Sequence, residues 1–175
     1  MPVRWKNSAT QYGMGGRVLH WLSVALLVTM IVTALPFEEM EASPEKMELI
    51  HRHASYGLVF LLVMGMRVYW RRTNVNPVLS YDIRNWQKFC AVNLHRLIYV
   101  VVITQALTGI ASLVSGGAAI PFFDVFEIPR LSGRREGLYD LFTETHHFIS
   151  VIIYPLFALH ITAAIYHQIF GVRDD

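Results

Sequence analysis

Apolar residues fall into four long blocks, separated by connections that carry most of the charge. The blocks cover residues 17–36, 50–70, 89–114 and 146–170. Each is close to the roughly 20 residues with which an α-helix crosses a bilayer. The pattern predicts an all-α chain, a transmembrane four-helix bundle forming one domain over residues 1–175. The apolar core of the first block exceeds the roughly 7–15 residues of a signal-peptide core. With no small-residue cleavage site after it, that block reads as a span. The longest connection, residues 115–145, holds Gly116, Gly117, Pro121 and Pro129, and an aromatic run (Phe122, Phe123, Phe126) expected at the membrane interface. No internal repeat stands out.

Composition agrees with a lipid solvent. The chain is 54% hydrophobic and 16% charged, against about 25% charged for a soluble domain. Its 15 basic and 13 acidic residues give a net charge of +2 without a basic block, which argues against nucleic-acid binding. A single cysteine, Cys90, excludes an internal disulfide, a cysteine-rich zinc site and covalent haem attachment.

Charge also sets an expected orientation. Residues 1–36 hold Arg4, Lys6 and Arg17 and no acid, whereas residues 37–52 hold five glutamates against Lys46 and Arg52. Residues 67–96 hold six basic residues against Asp82, and residues 115–145 hold five acidic and three basic ones. The basic excess alternates, so the positive-inside rule predicts both termini and the middle connection in the cytoplasm. Trp5, Trp21, Trp70 and Trp86 fall where interfacial anchors belong.

Eight histidines in so apolar a chain call for a reason. A histidine within a span is costly and marks a functional position by default. His146 and His160 are 14 residues apart, about 40° short of four full turns, so they share one helix face about 21 Å apart along the axis. In the expected orientation, His160 lies at the depth of His20 in the first helix, and His146 at the depth of His51 and His53 in the second. Gly57, on the same face as His53, favours His53 and leaves room for a flat macrocycle; Gly109 in the third helix is placed to do the same. Two histidines facing each other at a shared depth suit a bis-imidazole b-type haem, and two such pairs suit two haems. His95 sits at the cytoplasmic boundary of the third helix, and His167 lies seven residues beyond His160 on the same face. His51 and His147 read as interfacial. The competing reading is a histidine-based metal transporter, which the lack of an intramembrane Asp or Glu disfavours.

The chain resembles the bacterial cytochrome b561 family. The matching pieces are Leu19, His20 and Trp21; His53 to Gly57; Met66 to Arg71; Leu94 to Tyr99 with Thr108 and Gly109; Pro121 to Pro129; and His146 with His160. The resemblance implies a di-haem cytochrome of the bacterial inner membrane, with His20 and His160 ligating one haem b and His53 and His146 the other. It further implies electron transfer between a periplasmic donor, superoxide among them, and membrane quinone, with ubiquinone as acceptor. His167, His95 and Arg71 are the positions it offers for quinone or proton handling. Two classes of function follow. One is an enzyme, a superoxide:ubiquinone oxidoreductase or similar. The other is an electron-transfer or membrane-anchor subunit that docks a periplasmic redox protein and has no substrate of its own. The connections expected outside sum to −3 and −2, an unfavourable surround for superoxide unless Arg52, Arg130, Arg134 and Arg135 converge.

Overall fold

The computed structural model describes residues 4–77, 85–123 and 125–170, with the side chains of residues 37, 38, 167 and 170 outside the description. Its elements run α1 (Met14–Glu39), α2 (Pro44–Thr73), α3 (Asn85–Ser115), β1 (Ile120–Phe122), β2 (Phe126–Ile128) and α4 (Glu136–Phe170). All four helices are long and apolar enough to cross a membrane.

The helices exceed the apolar blocks that predicted them because polar sequence supplies their ends. Ser43 caps α2, its Oγ accepting from Lys46 N at 3.2 Å, and Pro44 opens the first turn. Glu45 in that turn and Arg71 and Arg72 in the last complement the helix dipole. Helix α4 starts at Glu136, ten residues before its apolar block, so His146 stands well inside a 35-residue helix rather than at its mouth. Pro155 lies inside α4.

Helix α1 packs on α2, α2 on α3 and α3 on α4. Among the described residues, no Cα of α4 comes within 8 Å of one in α1 or α2. The middle of the bundle is an apolar plug of Leu27 and Met30 from α1, Phe60 and Met64 from α2, and Val102 and Ala106 from α3. Phe157 of α4 packs against it.

The connection over residues 115–145 contains a short antiparallel hairpin, with Ile120 paired to Ile128 and Phe122 to Phe126. Phe122 and Phe126 stack at 4.8 Å, and Phe123, at the turn with φ 48°, meets Tyr56 edge-on at 4.9 Å. Ser55, 1% exposed, ties this hairpin to α2. Its hydroxyl accepts from Phe123 N at 3.0 Å and is shared between the carbonyls of His51 (2.8 Å) and Pro121 (3.2 Å). Removing it leaves a part-buried N–H without this partner, a loss of about 1–3 kcal/mol. Ser55→Ala is therefore expected to lower the thermal midpoint in detergent and to speed proteolysis of the hairpin.

One expected anchor has another role. Trp5, Trp21 and Trp86 are well exposed. The Trp70 ring instead lies against Gly15 and Gly16, where an added Cβ at Gly15 would meet it at 2.6 Å. Its indole nitrogen is buried without a hydrogen-bond partner.

Candidate functional site

The histidines predicted to pair do come together, at two levels of the bundle. They are called outer and inner here after the orientation expected from the charges. At the outer level the rings of His53 (α2) and His146 (α4) stand 6.3 Å apart between centroids, at 89°. At the inner level His20 (α1) and His160 (α4) stand 6.5 Å apart at 71°. Each pair bridges α4 and a helix whose backbone stays away from it.

The outer histidines are held in matching ways. His53 Nδ1 lies 3.1 Å from the Met30 carbonyl and 3.3 Å from Thr33 Oγ1. His146 Nδ1 lies 2.9 Å from the Gln105 carbonyl and 3.4 Å from Thr108 Oγ1. Each threonine stands three residues beyond its carbonyl and donates to it, Thr33 to Met30 O at 3.0 Å and Thr108 to Gln105 O at 2.9 Å. The hydrogen-bond network thus assigns the proton to Nδ1 in both rings and the lone pair to Nε2. Orientation of a ligating imidazole by a backbone carbonyl is the usual outer-shell arrangement in metalloproteins.

Gly109 makes the His146 position possible. A Cβ there would fall 2.9 Å from His146 Cε1 and 3.1 Å from Nδ1, so the missing side chain is filled by the imidazole. This corrects the sequence reading, which gave the Gly109 space to a macrocycle. At Gly57 an added Cβ would meet only Met30 Cε, at an ordinary 3.6 Å.

The inner level is more polar. Arg67 of α2 approaches His20 Nδ1 at 3.2 Å and donates to Ser23 Oγ at 2.8 Å, while Ser23 donates to the His20 carbonyl at 2.8 Å. The Arg67 and Arg71 guanidinium carbons lie 5.2 and 5.7 Å from the Tyr99 ring centroid. His95 is exposed, bonds the Ala91 carbonyl through Nδ1 at 2.7 Å, and meets the His160 ring at 5.2 Å. His95 thus flanks the inner pair, and Arg71 shares the Tyr99 ring with Arg67. His167 lies on α4, with its side chain outside the described residues. His51 and His147 pair with neither level: His51 lines an outer pocket of about 290 Å³ with Pro44, Met47 and Phe123, and His147 is exposed.

The donor set can be tested against a bis-imidazole haem. Two metal–nitrogen bonds of about 2 Å, plus about 1 Å from each nitrogen to its ring centre, place the centroids roughly 6 Å apart. The separations of 6.3 and 6.5 Å fit that span, whereas the 5.2 Å between His95 and His160 is too short. At the outer level the Gln105 amide nitrogen sits 3.2 Å from His146 Nε2, and Gln105 Oε1 is buried without a partner. An iron there would take over the lone pair that this amide now contacts. At the inner level, ligation through Nε2 requires the His20 proton on Nδ1, so Arg67 must turn to another acceptor. With that single change the residues at both levels fit the group.

Sequence reasoning missed Thr33, Gln105 and Ser23, and named Thr108 only as part of the family resemblance. The recurring signal is a threonine three residues beyond the carbonyl that holds each outer histidine, visible only once the helix pairings are known.

Residues 11–173 match the family described as prokaryotic cytochrome b561. Cytochrome b561 homolog 2 of Escherichia coli (strain K12) is 21% identical over 180 residues, covering 99% of this chain and 92% of that protein. The chain belongs to the prokaryotic cytochrome b561 family and is a membrane b-type cytochrome of electron transfer.

Proposed function

We propose that the chain carries electrons across the bacterial inner membrane through two b haems, from a donor on the periplasmic side to the quinone pool. The observation that carries this reading is the double pairing of histidines, with separations of 6.3 and 6.5 Å at two levels of one bundle. His53 and His146 would hold the outer haem, and His20 and His160 the inner one. Haem supplies reversible one-electron chemistry at each level. The protein orients the outer imidazoles through Met30 O and Gln105 O, and at the inner level Ser23 bonds the His20 backbone carbonyl and holds Arg67 beside it. It also keeps water from the intervening plug of Leu27, Met30, Phe60, Met64, Val102 and Ala106.

The expected topology, with both termini cytoplasmic, puts His95, Arg71 and the His167 position on the quinone side. His95 touches His160 and stands between the inner level and the helix surface, which suits it to hand a proton to a reduced ubiquinone. His95 adjoins the inner pair, yet no group of three His, Cys, Asp or Glu among the described residues is placed to hold a metal ion. That arrangement favours electron transfer over histidine-based metal transport.

The charge pattern outside favours a docking protein over superoxide as donor. Arg52 is paired with Glu48, and Arg134 lies 3.8 Å from Glu136 with its guanidinium over Tyr139. These cations are locally neutralised within acidic connections, a surface that attracts a basic redox partner and repels an anionic radical. Stopped-flow mixing of the oxidised protein with superoxide is expected to reduce its haems no faster than the uncatalysed background. Fast reduction that falls with salt would instead assign the protein as a superoxide:ubiquinone oxidoreductase. Failure of reduced protein in liposomes to pass electrons to a ubiquinone analogue would overturn the quinone assignment.

A further inference from the structure

The two levels differ in charge. At the outer level, the hydrogen-bond partners described for His53 and His146 are neutral: Met30 O, Thr33, Gln105 and Thr108. His51 and the exposed His147 stand beside them in sequence, and the nearest charged side chains in sequence are the exposed Arg52–Glu48 pair and the exposed Glu144. At the inner level, two half-buried guanidinium groups, Arg67 and Arg71, lie over one tyrosine, and Arg67 reaches His20 itself. Neither has a carboxylate partner among the described residues, where the ion pairs are Arg52 with Glu48 and Arg134 with Glu136.

A cation without a counter-ion inside a span is costly, and it is tolerated where it acts on something. Topology alone does not require it at this depth, because Arg72 and Lys88 supply positive charge nearer the helix ends.

We propose that Arg67, supported by Arg71, makes the inner centre the stronger electron acceptor and so directs electrons from the outer level to the inner one. The inference rests on the two-haem reading above. Reduction adds one negative charge to a centre, and a guanidinium held beside its ligand stabilises that added charge. The same cofactor at both levels brings the same charges, so the difference between levels comes from the chain. In each step one electron leaves the outer centre, which is oxidised by one unit, and reduces the inner centre by one unit. No bond forms or breaks, and no proton moves. The bias has work to do, because the membrane potential, negative inside, opposes inward movement of an electron. The residues that set topology by their positive charge thereby also set the direction of flow.

The test is an anaerobic spectroelectrochemical titration of full-length protein in nanodiscs, with haem content measured on the same samples. Wild type is expected to show two waves, and His53→Ala to retain the higher one. Arg67→Gln is expected to lower the higher wave by at least a factor of ten in its reduction equilibrium, about 59 mV for one electron. Its lower wave should stay in place, and Arg67→Lys should keep most of the wild-type value. Arg71→Gln, which leaves Arg67 held by Ser23 Oγ, should lower the same wave by less; it decides the matter if Arg67→Gln fails to hold the inner haem. An unshifted higher wave in a variant with both haems overturns the proposal, as does retention of the lower wave in His53→Ala. A wild type with a single haem would instead overturn the two-haem reading on which the proposal rests.

Discussion

Replacing His53 with alanine is expected to halve the haem content, from two haems per chain to one, while the protein still inserts and the remaining centre stays bis-imidazole. The ring of His53 is fixed by the Met30 carbonyl and Thr33, and its partner His146 is fixed by the Gln105 carbonyl. Without His53, the outer pair keeps one imidazole on one side of the cleft. His20 and His160 lie on the far side of the apolar plug, and the hydrogen bond described for the His20 ring is to Arg67 of the inner level. Their haem should therefore survive. His160→Ala should give the reciprocal loss, sparing the outer haem. Haem quantification with optical spectra separates the outcomes: retention of both haems in either variant would remove these residues from the ligand set, and loss of both in each would show that the levels are not independent.

Gly109→Ala is the second large effect. The added methyl would sit 2.9 Å from His146 Cε1 and 3.1 Å from Nδ1, closer than side-chain carbons pack. Because α3 supplies both this surface and the Gln105 carbonyl that orients the ring, His146 cannot retreat without losing its 2.9 Å bond. A disturbed outer-shell contact of this kind weakens metal affinity by about 10–100-fold. Gly109→Ala should thus shed the outer haem on dilution or under competition with an apo-protein haem scavenger, and the inner haem should stay. Gly65→Ala is the control. A Cβ at Gly65 meets nothing within 4 Å, so haem content should be unchanged and helix stability equal or slightly higher. Equal haem loss from both variants would assign the effect to helix disturbance rather than to His146.

Much of this was legible in the sequence, for identifiable physical reasons. Spans of about 20 apolar residues and helical phase are local properties, and depth follows from the order of the charges. These sufficed to pair His20 with His160 and His53 with His146 before any contact was known. Contacts between residues far apart in sequence were not legible. Ser55 meets Phe123 across 68 residues, Thr108 meets His146 across 38, and Arg67 meets His20 across 47. Local pattern contains no term for such meetings. Arg67 was read as a topology charge because, by count alone, it is indistinguishable from Arg71 or Arg72. Trp70 was read as a lipid-interface anchor because nothing local shows that Gly15 and Gly16 make room for its ring. The start of α4 was missed because apolar runs mark what lipid covers, whereas helices continue into polar sequence beyond it.

Two bis-imidazole b haems in one bundle would be read most plainly from the haem-to-protein ratio of the purified wild type. Pyridine haemochromogen measurement against quantitative amino-acid analysis, with low-temperature electron paramagnetic resonance on the same sample, supplies both ratio and ligation. Two non-covalent b haems per chain, both low-spin, are expected. A ratio of one, or a high-spin centre in the fully loaded protein, would contradict this expectation.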